Sequence, residues 1–532
     1  MAAGGLIVAG RRSPARPSRG PARALGSDPD AEPGGGVEFA GTISRAGTLA
    51  TKLFGRSGSL VLSRVLSAAI TFGLPLALVR LVDPTGFGTY KQFFLVSTTA
   101  LLVGQLGLTQ SLFYFLPREK ESGGSYAAQT FFSLAIIGLL AGFAVYCGAP
   151  LLAHFLESPG LLEFRAPLAI YTGGMLAAAP LEASLTSHGR PARAAIAYTL
   201  TDFFRAGGMV AAAALLGVPW LFRAAAAVAV LRVFALWTLA VRGGVPFLRP
   251  TAQRFRSQLA FALPFAGSAV LWVAQRQFSQ YAVSASFNPA TFALFAVACF
   301  HLQVVDIVYT PMSEVLMVDL AHAQTPSAAA GAFRESVSRL ATILFPAAAG
   351  AWLLGSTVVP LLFTSTYLAA VPLFLLATVE IPLWVLPVDA LLRAEGETRF
   401  LLWFSAVRIV VAAVLVLGGI HFFGLAGAIG GSIATEAFSR VCLLTRGCRH
   451  LGLGVRAAFD PGGLVRIAVS AAIAAAAAWP LRLFLHRMPM VLASVAVYGA
   501  AYVLCCSLFK PRRPAPASVD LSAGRTASAA AA

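Results

Sequence analysis

The sequence is poor in charged residues. Asp, Glu, Lys and Arg make up 12% of its 532 residues, whereas 58% are hydrophobic and the mean hydropathy is +0.77. Soluble globular proteins carry about twice that charged share, roughly 25%. A water-soluble protein of this length could not bury so much apolar surface, because a single core stops growing at about 250–300 residues. The same composition excludes disorder for most of the chain. We therefore predict a polytopic membrane protein.

The sequence also lacks the motifs of enzymes and metal proteins. Its six cysteines lie in or beside apolar stretches, without the spacing of a zinc site or a disulfide framework. Its seven histidines are scattered, and the sequence contains neither a nucleotide-binding loop nor a nucleophile elbow. We therefore expect no cofactor, no metal and no enzymatic activity.

Apolar runs of about 20 residues recur, and each can cross a hydrocarbon core of about 30 Å as an α-helix. The sequence thus predicts an all-α fold with about fourteen membrane-spanning helices. The predicted spans are 58–81, 91–116, 127–153, 166–187, 194–216, 219–241, 258–284, 290–318, 339–362, 369–391, 399–420, 424–445, 465–486 and 489–509.

The net charge of +18 indicates membrane orientation. In a soluble protein this charge would suggest nucleic acid, but the sequence contains no recognition module. With the N-terminus in the cytoplasm, nearly all basic residues outside the spans fall on the inner side, as the positive-inside rule requires. The exceptions are Lys91, Arg165, Arg482 and Arg487. We predict a multi-pass protein of the cell inner (cytoplasmic) membrane with both termini in the cytoplasm, and no nucleic-acid partner.

Two outer connections share a motif. VDPTGFGTY and FNPATFALF each contain Asp-Pro or Asn-Pro, followed by aromatic residues three and six positions after the proline. The matched positions are Pro84, Phe87 and Tyr90 in the first, and Pro289, Phe292 and Phe295 in the second. The motifs follow the first and seventh spans, so the offset of six spans preserves orientation. This predicts two parallel six-helix lobes related by an axis along the membrane normal.

The repeat gives a predicted domain plan. MAAGGLIVAGRR at the N-terminus does not have the layout of a signal peptide. The units are a disordered cytoplasmic tail at 1–50, an N-terminal lobe at 51–241, a basic cytoplasmic linker at 242–257, a C-terminal lobe at 258–445, an additional helix pair at 446–509 and a disordered cytoplasmic tail at 510–532.

Three sequence stretches resemble one known family. RLVDPTGFGTY is similar to the first outer hairpin of bacterial oligosaccharide flippases, the polysaccharide transporter branch of the multidrug/oligosaccharidyl-lipid/polysaccharide exporter superfamily. GQLGLTQSLFYFLPRE resembles the second helix of that family, and RSQLAFALPFAGS resembles the opening of its seventh helix. The resemblance implies translocation of an isoprenoid-pyrophosphate-linked oligosaccharide by alternating access, for surface polysaccharide biosynthesis. One departure is Gln275-Arg276-Gln277, where many relatives carry an acidic residue midway along the seventh helix.

Arginines within the spans are the candidate substrate-binding residues. A charge at mid-bilayer costs at least about 2.5–3.5 kcal/mol, so such residues tend to line cavities or form ion pairs. A guanidinium group suits the oxygens of a pyrophosphate. Arg205, Arg276 and Arg408 lie near mid-span, and Arg64 lies on the inner half of the first helix. Asp202, one turn before Arg205, could simply neutralise it. Arg440 lies near a span end, from which it can reach the interface.

Two acidic residues, Asp306 and Glu380, lie near the middle of the eighth and tenth spans. Two interpretations stay open for both of them. Either could hold a coupling proton or Na⁺, or pair with Arg276 or Arg408 across helices.

Other functions remain alternatives to this prediction. A lipid II flippase, or a multidrug or metabolite antiporter, would belong to the same superfamily. An integral-membrane glycan polymerase or ligase is disfavoured, because the short outer connections leave no room for an outer domain. The expected partners are the lipid-linked oligosaccharide and membrane lipids, with a polysaccharide polymerase and glycosyltransferases as further candidates.

Overall fold

The protein is described by a computed structural model that covers residues 58–119, 123–187, 191–242, 249–323, 325–450, 460–481 and 487–508. Within these ranges the chain forms α-helices, two short 3₁₀-helices and turns, with no strand. The α-helices are α1 Gly58–Leu78, α2 Pro84–Gly104, α3 Leu108–Arg118, α4 Gly123–Phe155, α5 Pro159–Glu163, α6 Arg165–Ala178, α7 Pro180–Ser187, α8 Pro191–Leu216, α9 Val218–Arg242, α10 Ala252–Ser286, α11 Pro289–Ala298, α12 His301–His322, α13 Pro326–Phe363, α14 Ala370–Ala377, α15 Val388–Ala394, α16 Thr398–His450, α17 Pro461–Ala478 and α18 Arg487–Leu508.

The helices confirm the predicted all-α polytopic fold. In the described part of the chain, 11 helical stretches are long and apolar enough to cross a membrane. One of them, Arg399–His450, contains both the eleventh and the twelfth predicted spans. The first and eighth predicted spans lie outside these stretches, on α1 and on α11 with α12. The predicted tails at 1–50 and 510–532 lie outside the described residues.

Helix α16 is a hairpin of two packed arms. Its backbone leaves the helical region at Gly424, where φ is 58° and ψ is −135°. A Cβ on Gly427 would lie 1.8 Å from the carbonyl oxygen of Gly419, so the arms touch backbone to backbone. A Cβ on Gly431 would likewise lie 2.4 Å from the carbonyl oxygen of Leu415. Glycine is required at these contacts because any side chain would separate the arms.

Two predicted spans are wrong as continuous helices. The eighth, 290–318, ends as α11 at Ala298 and begins again as α12 at His301, although no glycine or proline marks the break. The tenth, 369–391, passes from α14 into a 3₁₀-helix, Thr378–Val385, and then into α15. Proline explains the second break, because Pro382 and Pro387 carry no N–H to donate within a helix.

The predicted linker 242–257 is partly helical. Helix α10 begins at Ala252, with Thr251 at its N-cap position, and therefore includes the last six residues of that segment. Residues 243–248 lie outside the described residues. The predicted division into two six-helix lobes and an additional pair stays a prediction.

The repeated motifs form equivalent helix starts. Asp83 caps α2 by accepting hydrogen bonds from the N–H groups of Thr85 and Gly86, and Asn288 caps α11 by accepting one from Thr291. A proline occupies the first helical position in both cases, where a missing N–H costs nothing. Helices α2 and α11 pack against each other.

Helices α17 and α18 pack against α13, and α18 contacts it at Pro346. The hydroxyl of Tyr498 donates to the carbonyl oxygen of Pro346 at 2.8 Å, and that of Tyr502 donates to the carbonyl of Thr342 at 2.9 Å. Pro346 has no N–H for the Thr342 carbonyl, so Tyr502 replaces the missing helical hydrogen bond. These two bonds attach α18 to α13.

Candidate functional site: a charged cavity within the membrane

A cavity of about 230 Å³ lies among α2, α10, α11, α12, the 3₁₀-helix Thr378–Val385 and α16. Its lining combines apolar side chains with charged ones of both signs. The charged lining residues are Lys91, Arg276, Asp306, Glu380, Arg408 and Glu436. Four of the residues singled out from the sequence, Arg276, Arg408, Asp306 and Glu380, thus line one cavity.

Arg276 forms an ion pair with Asp306 across α10 and α12. The two side chains are 40% and 30% exposed, so both remain accessible from the cavity. The guanidinium also lies 5.8 Å from the ring centre of Trp272 and 5.9 Å from that of Trp384. The structure thus shows Asp306 paired with Arg276, which is one of the two interpretations given above for this residue. An anion in the cavity would compete with Asp306 for this arginine.

Arg408 is paired with an acidic residue that the sequence analysis did not select. Its Nη2 lies 2.5 Å from Oε2 of Glu436 on the other arm of α16. The second oxygen of Glu436, Oε1, accepts a hydrogen bond from Nε of Arg440 at 2.6 Å. Glu436 is 4% exposed, so this carboxylate is buried between two arginines.

The expectation that Arg440 reaches the membrane interface is wrong. Arg440 is 5% exposed and lies behind the cavity wall. Its Nη1 donates to the hydroxyl of Tyr309 at 2.8 Å and also to the carbonyl of Leu386. The Tyr309 hydroxyl in turn donates to Asp389. A buried guanidinium is tolerated here because it donates hydrogen bonds to acceptors on several elements.

Glu380 is buried, at 8% exposure, and accepts a hydrogen bond from the indole N–H of Trp384 at 3.1 Å. Among the described residues, no ion pair joins it to a cation. It therefore differs from Asp306 and Glu436, each of which has an arginine partner. An acidic group of this kind can bind a proton or a small cation that enters the cavity.

Lys91 is a lining residue that the sequence analysis missed. The hydropathy pattern started the second span at residue 91 and assigned Lys91 to the outer side. Helix α2 instead begins at Pro84, so Lys91 lies two turns inside it, beside the rings of Phe87 and Tyr90. The sequence did contain one signal for this residue. Its only lysines are Lys52, Lys91, Lys120 and Lys510, and Lys91 is the only one of them inside a predicted span.

Arg205 lies outside this cavity. It is 3.6 Å from Asp202 on its own helix, and the same carboxylate is 2.9 Å from Arg232 on α9. The predicted neutralisation by Asp202 is therefore present, with a second arginine added. Arg64 lies in α1, but its side chain is outside the described residues. The described side chains contain no group of three or more His, Cys, Asp or Glu able to hold a metal.

Several solved structures of membrane transporters share this fold. The lipid II flippase MurJ, in an inward closed conformation, superposes with a TM-score of 0.71 at 13% identity, over 85% of this chain and 98% of that chain. An inward-facing multidrug resistance transporter of the MATE family and the MOP superfamily gives 0.59 at 15%, over 75% and 96%. A MOP superfamily transporter from Pyrococcus furiosus gives 0.55 at 15%, over 74% and 95%.

The family follows from the sequence match. The family described as "Polysaccharide biosynthesis protein" matches residues 77–372, which is more than half of the chain. The protein therefore belongs to this polysaccharide biosynthesis family. No curated protein sequence matches the chain significantly.

Proposed function

We propose that the protein translocates an isoprenoid-diphosphate-linked oligosaccharide from the inner to the outer leaflet of the cytoplasmic membrane, for surface polysaccharide biosynthesis. The transport proceeds by alternating access, with both chain termini in the cytoplasm. The observation that carries the proposal is the convergence of Lys91, Arg276 and Arg408 from three helices on one cavity. Cations at this depth are costly unless they have a ligand, and diphosphate oxygens are suitable ligands.

The three cations have separate roles in this proposal. Arg276 leaves Asp306 and Arg408 leaves Glu436. Each arginine then binds the diphosphate through the N–H groups of its planar guanidinium. Lys91 has no carboxylate partner among the described residues, so it attracts the anion before either ion pair opens. Arg64, on α1, is proposed as a fourth contact.

The cavity also has to balance charge. Its three cations are matched by Asp306, Glu380 and Glu436, so an entering diphosphate makes it negative. Moving uncompensated charge through the bilayer is expensive. We propose that Glu380, with Asp306 once it is released from Arg276, takes up protons or Na⁺ during the cycle. Arg205 is proposed to act only on the position of α8, because it lies outside the cavity.

Lipid II is the second candidate substrate, supported by the superposition on a lipid II flippase. A drug or metabolite antiporter is less favoured, because α10 contributes Arg276 to the cavity in place of an acidic residue. A polysaccharide polymerase and glycosyltransferases are the proposed neighbours that consume and supply the substrate.

Complementation tests the proposal and separates the two substrates. The wild-type gene should restore surface glycan to a strain lacking its oligosaccharide flippase, but should not restore growth to a strain depleted of its lipid II flippase. Arg276→Ala and Arg408→Ala should abolish rescue at unchanged membrane abundance. Arg223→Ala, an exposed arginine beside Trp220, is the matched control and should rescue fully. Rescue by both cavity variants would refute the assignment, and rescue of the second strain alone would favour lipid II.

A further inference from the structure

A chain of polar contacts runs from the cavity to α15. It starts at Arg408, passes through Glu436 and Arg440 to the Tyr309 hydroxyl, and ends at Asp389 in the first turn of α15. The three middle residues are 4–6% exposed. Because buried polar groups are costly when they lose a partner, a change at one end of such a chain favours rearrangement along it.

This chain of polar contacts ends beside an irregular segment of the backbone, residues 378–388, which we call the joint. The 3₁₀-helix Thr378–Val385 carries Glu380 and Trp384 in the cavity wall, and Pro387 separates it from α15. A stretch of 3₁₀-helix between α-helices often marks a hinge. Arg440 donates to the carbonyl of Leu386 inside this joint. Tyr309 holds Asp389 just beyond it.

Glu436 connects the two ends because its oxygens bind different arginines. Oε2 binds Arg408 in the cavity, and Oε1 binds Arg440 behind the cavity. A carboxylate paired only with Arg440 would be a stabilising contact. A carboxylate shared with a substrate-binding arginine must change its hydrogen bonds whenever that arginine changes its ligand.

We propose that Glu436 transmits occupancy of the cavity to the joint at 378–388 through Arg440 and Tyr309. This inference rests on the proposed function, in which an anionic head group binds Arg408. The anion displaces Oε2 of Glu436 from Arg408, and the freed carboxylate then binds Arg440 with both oxygens. Arg440 thereby turns away from the Leu386 carbonyl and the Tyr309 hydroxyl. The joint loses these contacts, and α15 becomes free to move.

Arg440 and Tyr309 are therefore positioning residues, whereas Arg408 contacts the substrate. The ligand shifts the equilibrium because it favours the state in which Glu436 has left Arg408. Tyr309→Phe is the sharpest variant, because it removes the hydroxyl that links Arg440 to Asp389 and leaves Glu436 with both arginines. Tyr498→Phe is the matched control, since it removes one tyrosine hydroxyl bond on α18, outside the cavity lining.

Hydrogen exchange of the purified full chain tests the relay. Exchange in peptides covering 378–394 is measured by mass spectrometry with and without a polyprenyl diphosphate, and the ligand-induced rise in Tm records binding in the same samples. In the wild type and in Tyr498→Phe, the ligand should speed exchange about tenfold, the equivalent of about 1.4 kcal/mol. In Tyr309→Phe, exchange should be fast without ligand and unchanged on binding, while the Tm rise is retained.

Each outcome decides one of the two claims. Binding without faster exchange in the wild type overturns the relay and leaves the proposed function intact. A faster baseline in Tyr309→Phe, with the full ligand-induced increase retained, assigns Tyr309 a purely structural role and also overturns the relay. Absence of any Tm rise in the wild type contradicts the proposed function, and the relay with it.

Discussion

Gly88 packs against the backbone of Pro289 so closely that no side chain fits between them. A Cβ on Gly88 would lie 1.8 Å from the Pro289 carbonyl oxygen. Gly88 belongs to the first repeated motif, and Pro289 opens α11 in the second. The two motifs therefore meet at the predicted outer end of the helices. In the transport cycle proposed above, this contact would open when the substrate is released to the outer leaflet.

Gly88→Ala should destabilise this contact. The added methyl group forces α2 and α11 apart, and overpacking of this kind costs about 1–3 kcal/mol. We expect a lower Tm in detergent and faster labelling of a probe placed at the outer end. Gly73→Ala is the control, since a Cβ at Gly73 in α1 meets nothing within 4 Å. An unchanged Tm in Gly88→Ala would contradict the close packing.

Lys91→Ala should slow translocation by about tenfold or more, because a hydrogen bond from a charged group contributes about 1.5–3 kcal/mol. Lys91→Arg should keep most of the activity, since the positive charge remains. Translocation is measured in reconstituted vesicles at matched protein content, with Arg223→Ala as the control for loss of an exposed cation. Equal rates for Lys91→Ala and the wild type would remove Lys91 from the site.

Gln258 joins α10 to α3 and α4 through buried polar groups. Its amide nitrogen donates to the Ser111 and Thr130 hydroxyls, at 2.7 Å each, and its oxygen accepts from Gln129 at 2.5 Å. Gln258→Ala leaves all three partners buried without this bond, which should cost about 1–3 kcal/mol. Thermal unfolding measures the loss. Ser257→Ala, one residue away and exposed, should unfold like the wild type, and equal stability of both variants would contradict the network.

Glu397 directly precedes α16 and forms ion pairs with Arg446 and His450 near the end of that helix. These contacts lie outside the predicted spans. A hydrogen bond from Arg446, at 3.1 Å, lowers the pKa of the Glu397 carboxyl below its ordinary value, and the nearby His450 adds to this. A lowered folded-state pKa gives stability that is present above the unfolded pKa of about 4.3 and lost as the pH falls through the folded value.

The expected result for Glu397→Gln is a lower Tm than the wild type at pH 7, with the difference shrinking as the pH falls below about 4. Arg449→Ala, at a neighbouring basic residue with no ion pair to Glu397 among the described contacts, serves as the control. A difference in Tm that stays constant from pH 7 to pH 3 would show that Glu397 acts through packing, without its charge.

Much of the fold could be predicted from the sequence, because each spanning helix carries its own signal. Apolar length locates the spans, and the Asp-Pro and Asn-Pro motifs locate two helix starts at Asp83 and Asn288. The break between α11 and α12 could not be predicted. It falls at Cys299 and Phe300, where local sequence favours a continuous helix.

The candidate site was only partly predictable. The cost of charge in a membrane selected Arg276, Arg408, Asp306 and Glu380, which line the cavity. The same argument could not identify partners, because pairing depends on which helices pack together. The position of Arg440 near a span end predicted that its side chain reaches the membrane interface. It is buried instead, because it binds Glu436 on its own helix arm and Tyr309 on α12.

The central claim is that this cavity carries an anionic lipid-linked glycan across the bilayer. Its most direct test is translocation of a fluorescent polyprenyl-diphosphate oligosaccharide in vesicles containing the purified protein, read by quenching with a membrane-impermeant reductant. The wild type should make label in both leaflets accessible, while Arg408→Ala at equal protein content should leave the inner-leaflet label protected. Protected label in the wild type, or equal translocation by both proteins, would contradict the account.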